Sequence, residues 1–229
     1  MANSSISDVF FDLDHTLWDF DRNSRLAFER VFQRHKIRLE LESFISEYEP
    51  INLHYWKQFR EELITKQEMR RGRLMDTFDL FKISLPIQEI DHLANTYIEE
   101  LPGNNHLFDN TFEILDYLES KYRLHIITNG FEEVQHLKLR NSGIQKYFST
   151  VTTSEDAKCK KPNPQIFEIA LKKASVLSKA SIMIGDSMEA DIVGARNAGM
   201  HTLFFNYKSE VVTPCYTSIN TLLEIKNHL

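Results

Sequence analysis

Two carboxylates stand side by side near the start of the chain, directly behind a short apolar run. Residues 9–14 read VFFDLD, so one residue separates Asp12 from Asp14. In an extended chain, residues two apart point to the same side, and both carboxylates would then face one spot. Carboxylates this close together can hold a divalent cation. Taken alone, the pair is equally compatible with a capped turn.

Polar side chains also follow the next three predicted strands. They are Thr128 and Asn129 after the second strand, the lysine cluster Lys158, Lys160 and Lys161 after the third, and Asp186 and Asp191 after the fourth. Each feature alone has an ordinary explanation as a turn, a solvated loop or a helix N-cap. Together they predict one site, because parallel strands bring their carboxyl ends to the same edge of a sheet.

The residue types indicate what this site would bind. Several carboxylates on one rim would repel one another unless a cation lay between them. Oxygen ligands suit a hard divalent cation, and ligation by only a few protein groups favours Mg²⁺. A lysine beside hydroxyl and backbone N–H donors would hold phosphate. The residues therefore predict Mg²⁺ as cofactor and a phosphorylated ligand.

Alternating strands and helices would position these residues. We predict strands at 9–12, 123–128, 149–153, 181–185 and 201–205, and helices at 131–141, 164–174, 188–198 and 219–227. This order predicts an α/β fold, a doubly wound parallel sheet with helices on both faces. Residues 20–100 contain a single glycine, and their aromatic residues and leucines recur at helical intervals. The predicted domains are 1–18 with 101–229, and an all-helical insertion at 19–100.

Bulk composition limits the partners and the location. The 229 residues carry a net charge of -6, which argues against a nucleic acid polymer or an anionic membrane as partner. We expect no targeting segment and no membrane span, and the two cysteines indicate no disulfide framework. A cytoplasmic location is therefore expected. The expected partner is a small phosphorylated metabolite, with a homodimer left open.

In their order along the chain, the polar residues that follow the four predicted strands resemble the motifs of the haloacid-dehalogenase-like hydrolases, a superfamily of mostly Mg²⁺-dependent phosphatases. The similar segments are DLDHT at 12–16, Thr128 in IITNG, Lys161 in KKPNP and GDSMEAD at 185–191. The family's lysine directly precedes a proline, which favours Lys161 within its cluster. The helical insertion is similar to the family's helical cap (C1 type). Segments such as TLWDFD and ITNGF further resemble its branch of 5'-nucleotidases for pyrimidine and non-canonical nucleoside monophosphates.

The resemblance implies roles for the paired carboxylates. Asp12 would attack phosphorus and form an aspartyl-phosphate, and Asp14 would act as general acid and then as general base. The dehalogenases themselves lack the second aspartate, so Asp14 argues for phosphate chemistry. The resemblance also implies Mg²⁺ ligands in the Asp12 side chain, the Asp14 backbone carbonyl and Asp186, with Asp191 orienting the groups around them. It implies phosphate ligands in Thr128, the Asn129 backbone and Lys161.

Substrate choice is expected in the cap. Four aromatic residues could stack a base, and three arginines could meet a phosphate or a sugar: Trp18, Phe20, Trp56, Phe131, Arg70, Arg71 and Arg73. The most favoured activity is that of a nucleoside 5'-monophosphate phosphatase. The alternatives are a phosphatase for phosphoglycolate or a sugar phosphate, a phosphomutase, and a non-enzymatic phospho-acceptor module of the receiver type.

Overall fold

The structure is a computed structural model that describes residues 6–209, 211, 213 and 215–229. The chain forms two compact units. The first runs up to Phe20 and resumes at Asn105–Leu229, and the second is Asp21–Asn104. The predicted boundaries lie a few residues from these limits.

The first unit is built on one parallel sheet of six strands. The strands are β1 (Asp8–Phe11), β2 (Arg123–Thr128), β3 (Phe148–Thr153), β4 (Ser181–Gly185), β5 (His201–Phe205) and β6 (Ser218–Ile219). Their order across the sheet is β3-β2-β1-β4-β5-β6, and every neighbouring pair is parallel. This confirms the predicted α/β fold class. All four residues of β1 are buried, which explains why this central strand is an unbroken apolar run after Asp8.

The helices have the following bounds in chain order. They are α1 (Phe20–His35), α2 (Leu41–Arg60), α3 (Lys66–Leu80), α4 (Ile87–Glu100), α5 (Thr111–Glu119), α6 (Glu132–Asn141), α7 (Ser154–Ala157), α8 (Pro164–Ala174) and α9 (Gly194–Asn197). Helix α8 illustrates why helices of this chain can be predicted from its sequence. Asn163 caps the first turn, Pro164 occupies the first position, and the apolar side chains recur at helical spacing. None of the helices among the described residues has the length and hydropathy to cross a bilayer.

Two predicted elements differ from the structure. The helix expected at 188–198 is a π-helix at Met188–Val193 followed by the short α9, and the Ile192 N–H donates five residues back to the Ser187 carbonyl. The helix expected at 219–227 is a 3₁₀-helix at Leu222–Asn227 that follows β6. A strand of two residues is too short for any periodicity to predict it.

The second unit consists of helices from the predicted insertion, with an aromatic core. Phe28 packs against Phe44, Tyr48 and Tyr97 with ring centroids 4.3–5.0 Å apart, and all four rings are buried. Helix α3 begins with a capping box, in which the side chains of Thr65 and Glu68 each accept a bond from the other's backbone N–H.

Candidate active site

The two central strands place two carboxylates next to each other. The Asp12 N–H extends the ladder by donating to the Ile184 carbonyl at 2.9 Å, and Asp186 directly follows β4. The strand order reverses at this point of the sheet, where α/β proteins bind their ligands. One turn beyond Asp186, Asp191 completes the group: carboxylate oxygens of Asp12, Asp186 and Asp191 lie within 4.8 Å of one another.

Lys161 lies against this acidic cluster. Its Nζ is 2.8 Å from Asp12 Oδ1 and 2.7 Å from Asp191 Oδ1, and it donates a hydrogen bond to the Ile127 carbonyl at 2.8 Å. The Asn129 side chain fixes the lysine backbone, because its amide donates to the Lys161 carbonyl and its Oδ1 accepts from the Lys161 N–H. Asn129 thus positions Lys161, while the phosphate contact of its backbone stays a prediction.

The cluster contains three carboxyl groups and one lysine ammonium group. Burial raises the pKa of Asp12 to about 7, with Lys161 opposing the rise and Asp191 adding to it. Burial, with the charges of Asp191 and Asp12, likewise raises the pKa of Asp186. Burial alone would lower the pKa of Lys161, but the Asp12 and Asp191 carboxylates hold it above its usual value. All three directions follow from an excess of carboxylates in a region of low dielectric constant.

The acidic cluster fits a divalent cation. Asp12 Oδ1 and Asp191 Oδ1 are buried and have no aligned hydrogen-bond donor, so their contacts with Lys161 are ion pairs. Asp191 Oδ2 accepts a hydrogen bond from the Ser187 N–H at 3.0 Å. Oxygen ligands in this number suit Mg²⁺. That Asp12 and Asp186 hold the cation, with Asp191 orienting the groups around it, is still a prediction. The contribution of the Asp14 carbonyl stays a prediction.

The Asp14 carboxylate has a different pair of partners. Lys138 Nζ donates to Asp14 Oδ1 at 2.6 Å, and Gln135 Nε2 donates to Asp14 Oδ2 at 3.0 Å. Each of the paired aspartates therefore has its own lysine, Lys161 for Asp12 and Lys138 for Asp14. This separation suits two different chemical tasks.

Gln135 and Lys138 were not among the site residues predicted from the sequence. The buried face of α6 consists of Val134, Gln135, Lys138 and Leu139. Two of these four positions carry polar side chains, and a lysine on the inner face of a helix is rare unless it is paired. That helical spacing was the available indication, because it places Gln135 and Lys138 one turn apart on the same side.

The Thr128 hydroxyl is prepared to donate a hydrogen bond. Its Oγ1 accepts from the Gly130 N–H at 3.1 Å and from Gln135 Nε2 at 2.8 Å. A hydroxyl has two acceptor positions and one proton, so these two bonds leave the proton for a further acceptor. A phosphate oxygen would be such an acceptor.

The residues suggested for substrate recognition lie in several environments. Trp18 and Phe131 are buried, and Arg73 is buried beneath the rings of Tyr48 and Tyr97. Arg71 forms an ion pair with Asp91 at 2.6 Å. These four candidates already have contacts within their own units, which weakens the prediction that they bind substrate. Phe20, Trp56 and Arg70 are half-buried, and their roles stay predictions.

Comparison with known proteins identifies close likenesses over most of the chain. Residues 9–205 match the family described as haloacid dehalogenase-like hydrolase. Pyrimidine 5'-nucleotidase PynA of Streptococcus pneumoniae is 33% identical over 202 residues, which cover 86% of this chain and 83% of PynA. Pyrimidine 5'-nucleotidase YjjG of Escherichia coli is 29% identical over 229 residues, covering 96% of each chain.

A solved structure agrees with the whole fold. The HAD-hydrolase YfnB from Bacillus subtilis, whose crystal structure is described as bound to magnesium and as revealing interdomain movement, superimposes with a TM-score of 0.89. The two chains are 26% identical, and the match covers 98% of this chain and 99% of YfnB. The family match includes the polar residues that follow the four predicted strands. The chain therefore belongs to the haloacid dehalogenase-like hydrolases.

Proposed function

We propose that this chain is a Mg²⁺-dependent nucleoside 5'-monophosphate phosphatase that works through an aspartyl-phosphate intermediate. The chain is a phosphatase of the haloacid dehalogenase-like hydrolase family. The receiver-type alternative is thereby set aside. The observation that carries the mechanism is that Asp12 and Asp14, two residues apart, are held by different cationic partners.

The proposed reaction has two steps. In the first, an Asp12 carboxylate oxygen attacks phosphorus, the bond from phosphorus to the ester oxygen breaks, and Asp14 gives its proton to the leaving oxygen. In the second, water attacks the phosphorus of the aspartyl-phosphate, Asp14 takes the water proton, and Asp12 is released with inorganic phosphate. Each aspartate thus returns to its starting state.

The remaining residues would balance the charge of the nucleophile and the phosphate and would hold both in position. Thr128 would donate its free hydroxyl proton to a phosphate oxygen, and Lys161 would offset charge on both Asp12 and the phosphate. Mg²⁺ bound at Asp12 and Asp186 would supply the positive charge that lets an anionic nucleophile approach an anionic ester. Asp191 would keep Lys161 in place by their 2.7 Å ion pair.

Two considerations favour a nucleotide as substrate. The two sequence relatives described above are pyrimidine 5'-nucleotidases, and YjjG matches the chain over almost its full length. Segments such as TLWDFD and ITNGF resemble the same branch. Phosphoglycolate, sugar phosphates and phosphomutase activity remain as outcomes that the substrate test distinguishes.

The test is phosphate release in the presence of Mg²⁺ from nucleoside 5'-monophosphates, phosphoglycolate and a set of sugar phosphates. We expect the highest kcat/KM on a nucleoside 5'-monophosphate. Turnover of phosphoglycolate or a sugar phosphate with none on nucleotides would overturn the substrate proposal. Rapid phosphate transfer between two positions of a sugar would instead indicate a mutase.

The nucleophile is tested by Asp12→Asn, which should reduce turnover to background while the protein stays folded. Asp156→Asn is the matched control, because Asp156 lies on the surface of the same unit and pairs only loosely with Lys173 at 3.6 Å. Wild-type rates in Asp12→Asn would show that the nucleophile is another residue. Mass spectrometry of the quenched wild-type enzyme should find the phosphoryl group on the peptide that contains Asp12.

A further inference from the structure

Helix α6 delivers two polar side chains to the Asp14 carboxylate. The helix begins at Glu132, just after the Thr128–Gly130 segment that ends β2. Gln135 and Lys138 lie one turn apart on its inner face and are 0% and 2% exposed. Each donates to a different oxygen of Asp14, at 3.0 Å and 2.6 Å. Both carboxylate oxygens are therefore fixed from one rigid element.

Lys138 is enclosed by the same loop that carries Asp14. Its Nζ lies 4.2 Å from the centre of the Trp18 ring and 5.3 Å from that of Phe20. The backbone of Asp14 is bridged to that of Trp18. The ammonium thus contacts one carboxylate and two aromatic faces, which hold it in place. Burial lowers the pKa of Lys138, and the Asp14 carboxylate opposes that shift. Such a lysine defines where Asp14 Oδ1 lies.

Gln135 defines the rotation of the same carboxylate. Its amide nitrogen donates to Asp14 Oδ2 and to Thr128 Oγ1, at 3.0 Å and 2.8 Å. Its other amide atom, Oε1, is buried without a hydrogen-bond donor. The opposite orientation would turn a carbonyl toward a carboxylate, so this amide is aimed at Asp14 at the expense of its own Oε1. Gln135 therefore couples Asp14 to the hydroxyl proposed to hold phosphate.

We propose that Lys138 and Gln135 are positioning residues that orient Asp14 for proton transfer to the leaving oxygen and from the attacking water. The inference rests on the proposed function, since it assigns Asp14 the acid and base steps. Lys138 forms its direct ion pair with Asp14 and interacts with the Asp12 carboxylate through its charge, whereas Gln135 also donates to Thr128 Oγ1. The Lys138 variant therefore tests the effect on Asp14 most directly.

The test compares ester substrates with different leaving groups. An alkyl phosphate, such as a nucleoside 5'-monophosphate, needs its leaving oxygen protonated, whereas the phenolate of p-nitrophenyl phosphate leaves without a proton. In Lys138→Met, we expect the rate of the first step on the alkyl ester to fall about a hundredfold, the usual size of a general-acid contribution, with KM little changed. The first step on p-nitrophenyl phosphate should change only slightly.

The second step requires Asp14 as base for both substrates. Lys138→Met should therefore release a rapid burst of nitrophenol and then turn over slowly, with phosphorylated enzyme accumulating. Gln135→Met should show the same pattern to a smaller extent, and it supplies the test if Lys138→Met does not fold. Lys173→Met is the control, because it removes a lysine from α8 that contacts Asp156 and the Val151 carbonyl; both of its rates should equal the wild type.

The failure of this inference and the failure of the proposed function would give different results. If both variants slow the first step equally for the two leaving groups, Lys138 and Gln135 serve the structure in general and this inference is wrong. If the wild type turns over another alkyl phosphate but no nucleotide, the substrate part of the proposed function fails, and the comparison is made with that ester. If the wild type forms no phosphorylated Asp12 from p-nitrophenyl phosphate, the proposed mechanism fails.

Discussion

Neighbouring side chains give the two paired aspartates of this site different environments. Asp12 and Asp14 are the same amino acid two positions apart, yet Asp12 faces Lys161 and the other carboxylates of the acidic cluster while Asp14 faces Lys138 and Gln135. If Asp14 carries both proton transfers, Asp14→Asn should reduce kcat by about 10²–10⁴-fold and leave the fold intact. Stopped-flow kinetics measures the rate, and circular dichroism checks the fold. A variant whose KM changes while its kcat stays at the wild-type value would contradict the prediction.

Gly130 offers a second test at the residue scale. A Cβ added there would lie 2.4–2.8 Å from three atoms of the Gln135 amide group. Gly130→Ala should push this flexible amide away from Asp14 and Thr128, and the loss of about one hydrogen bond's net free energy, ~1 kcal/mol, predicts a several-fold fall in kcat/KM. Gly103→Ala is the control, since its Cβ would meet only Arg30 at an ordinary 3.5 Å. Unchanged activity in Gly130→Ala would mean that Gln135 does not support catalysis.

The sequence revealed some of these residues and concealed others for a physical reason. Asp12 and Asp186 stand where buried apolar runs stop, and that contrast is visible along the chain. Lys138 and Gln135 sit inside a helix, where an inner face can be recognised only by knowing what it packs against. The chain also does not stay extended beyond Asp14, because His15 has a φ of 61° and turns the backbone there.

Elements were predictable where they are long or bounded by abrupt changes in polarity. The bounds of β2, β4, β5 and α8 agree with the prediction, because each is an apolar run or stripe with polar or proline limits. The π-helix at Met188–Val193 was predicted as α-helix, since both have similar apolar spacing over six residues. Its extra residue per turn is a matter of backbone register that side-chain type does not encode.

At the end of the sheet opposite the site, β1 and β2 share a buried ionic group. Asp8 Oδ1 accepts from His125 Nε2 at 2.9 Å and from Arg123 at 2.8 Å, and the His125 ring stacks on Phe10. His125 Nδ1 lies 2.8 Å from Thr150 Oγ1 and accepts its proton when the ring is neutral. Burial lowers the pKa of His125 below its usual 6.5, although Asp8 opposes the shift.

This group predicts a pH dependence of stability. Below about pH 6.5 the unfolded chain gains a proton on His125 that the folded chain does not accept, so the stabilisation is present above that value and is lost as the pH falls through the folded pKa. Urea unfolding from about pH 8 to about pH 5 should show His125→Gln with a flatter profile than the wild type. His136→Gln, on the exposed surface of α6, should follow the wild type. Parallel profiles for the wild type and His125→Gln would contradict the assignment.

The chain as a whole consists of a sheet unit that contains the acidic cluster and a helical unit, Asp21–Asn104, that is inserted into the sequence of the sheet unit. Composition predicted this division because the helical stretch lacks the glycine-rich turns and strand-like runs of the rest. The helical unit has an aromatic core of its own, which includes no residue of the site. Its helix α3 begins with a capping box formed by residues of the same unit. The sheet unit, in contrast, carries the electrostatic cost of Asp12, Asp186 and Asp191 in its interior.

That cost predicts how Mg²⁺ changes the stability of the protein. A cation that binds only the folded sheet unit should stabilise it by about 2.7 kcal/mol at a hundred times its Kd, and EDTA should remove the effect. In Asp186→Asn, one of three mutually repelling carboxylates is lost, so the metal-free variant should unfold at a higher temperature than the wild type while its response to Mg²⁺ becomes much smaller. Asp156→Asn should keep the wild-type response, because its carboxylate lies outside the cluster. Calorimetry with and without Mg²⁺ measures both effects, and an Asp186→Asn protein that is destabilised without metal yet gains the full Mg²⁺ increment would show that these carboxylates are not the cation site.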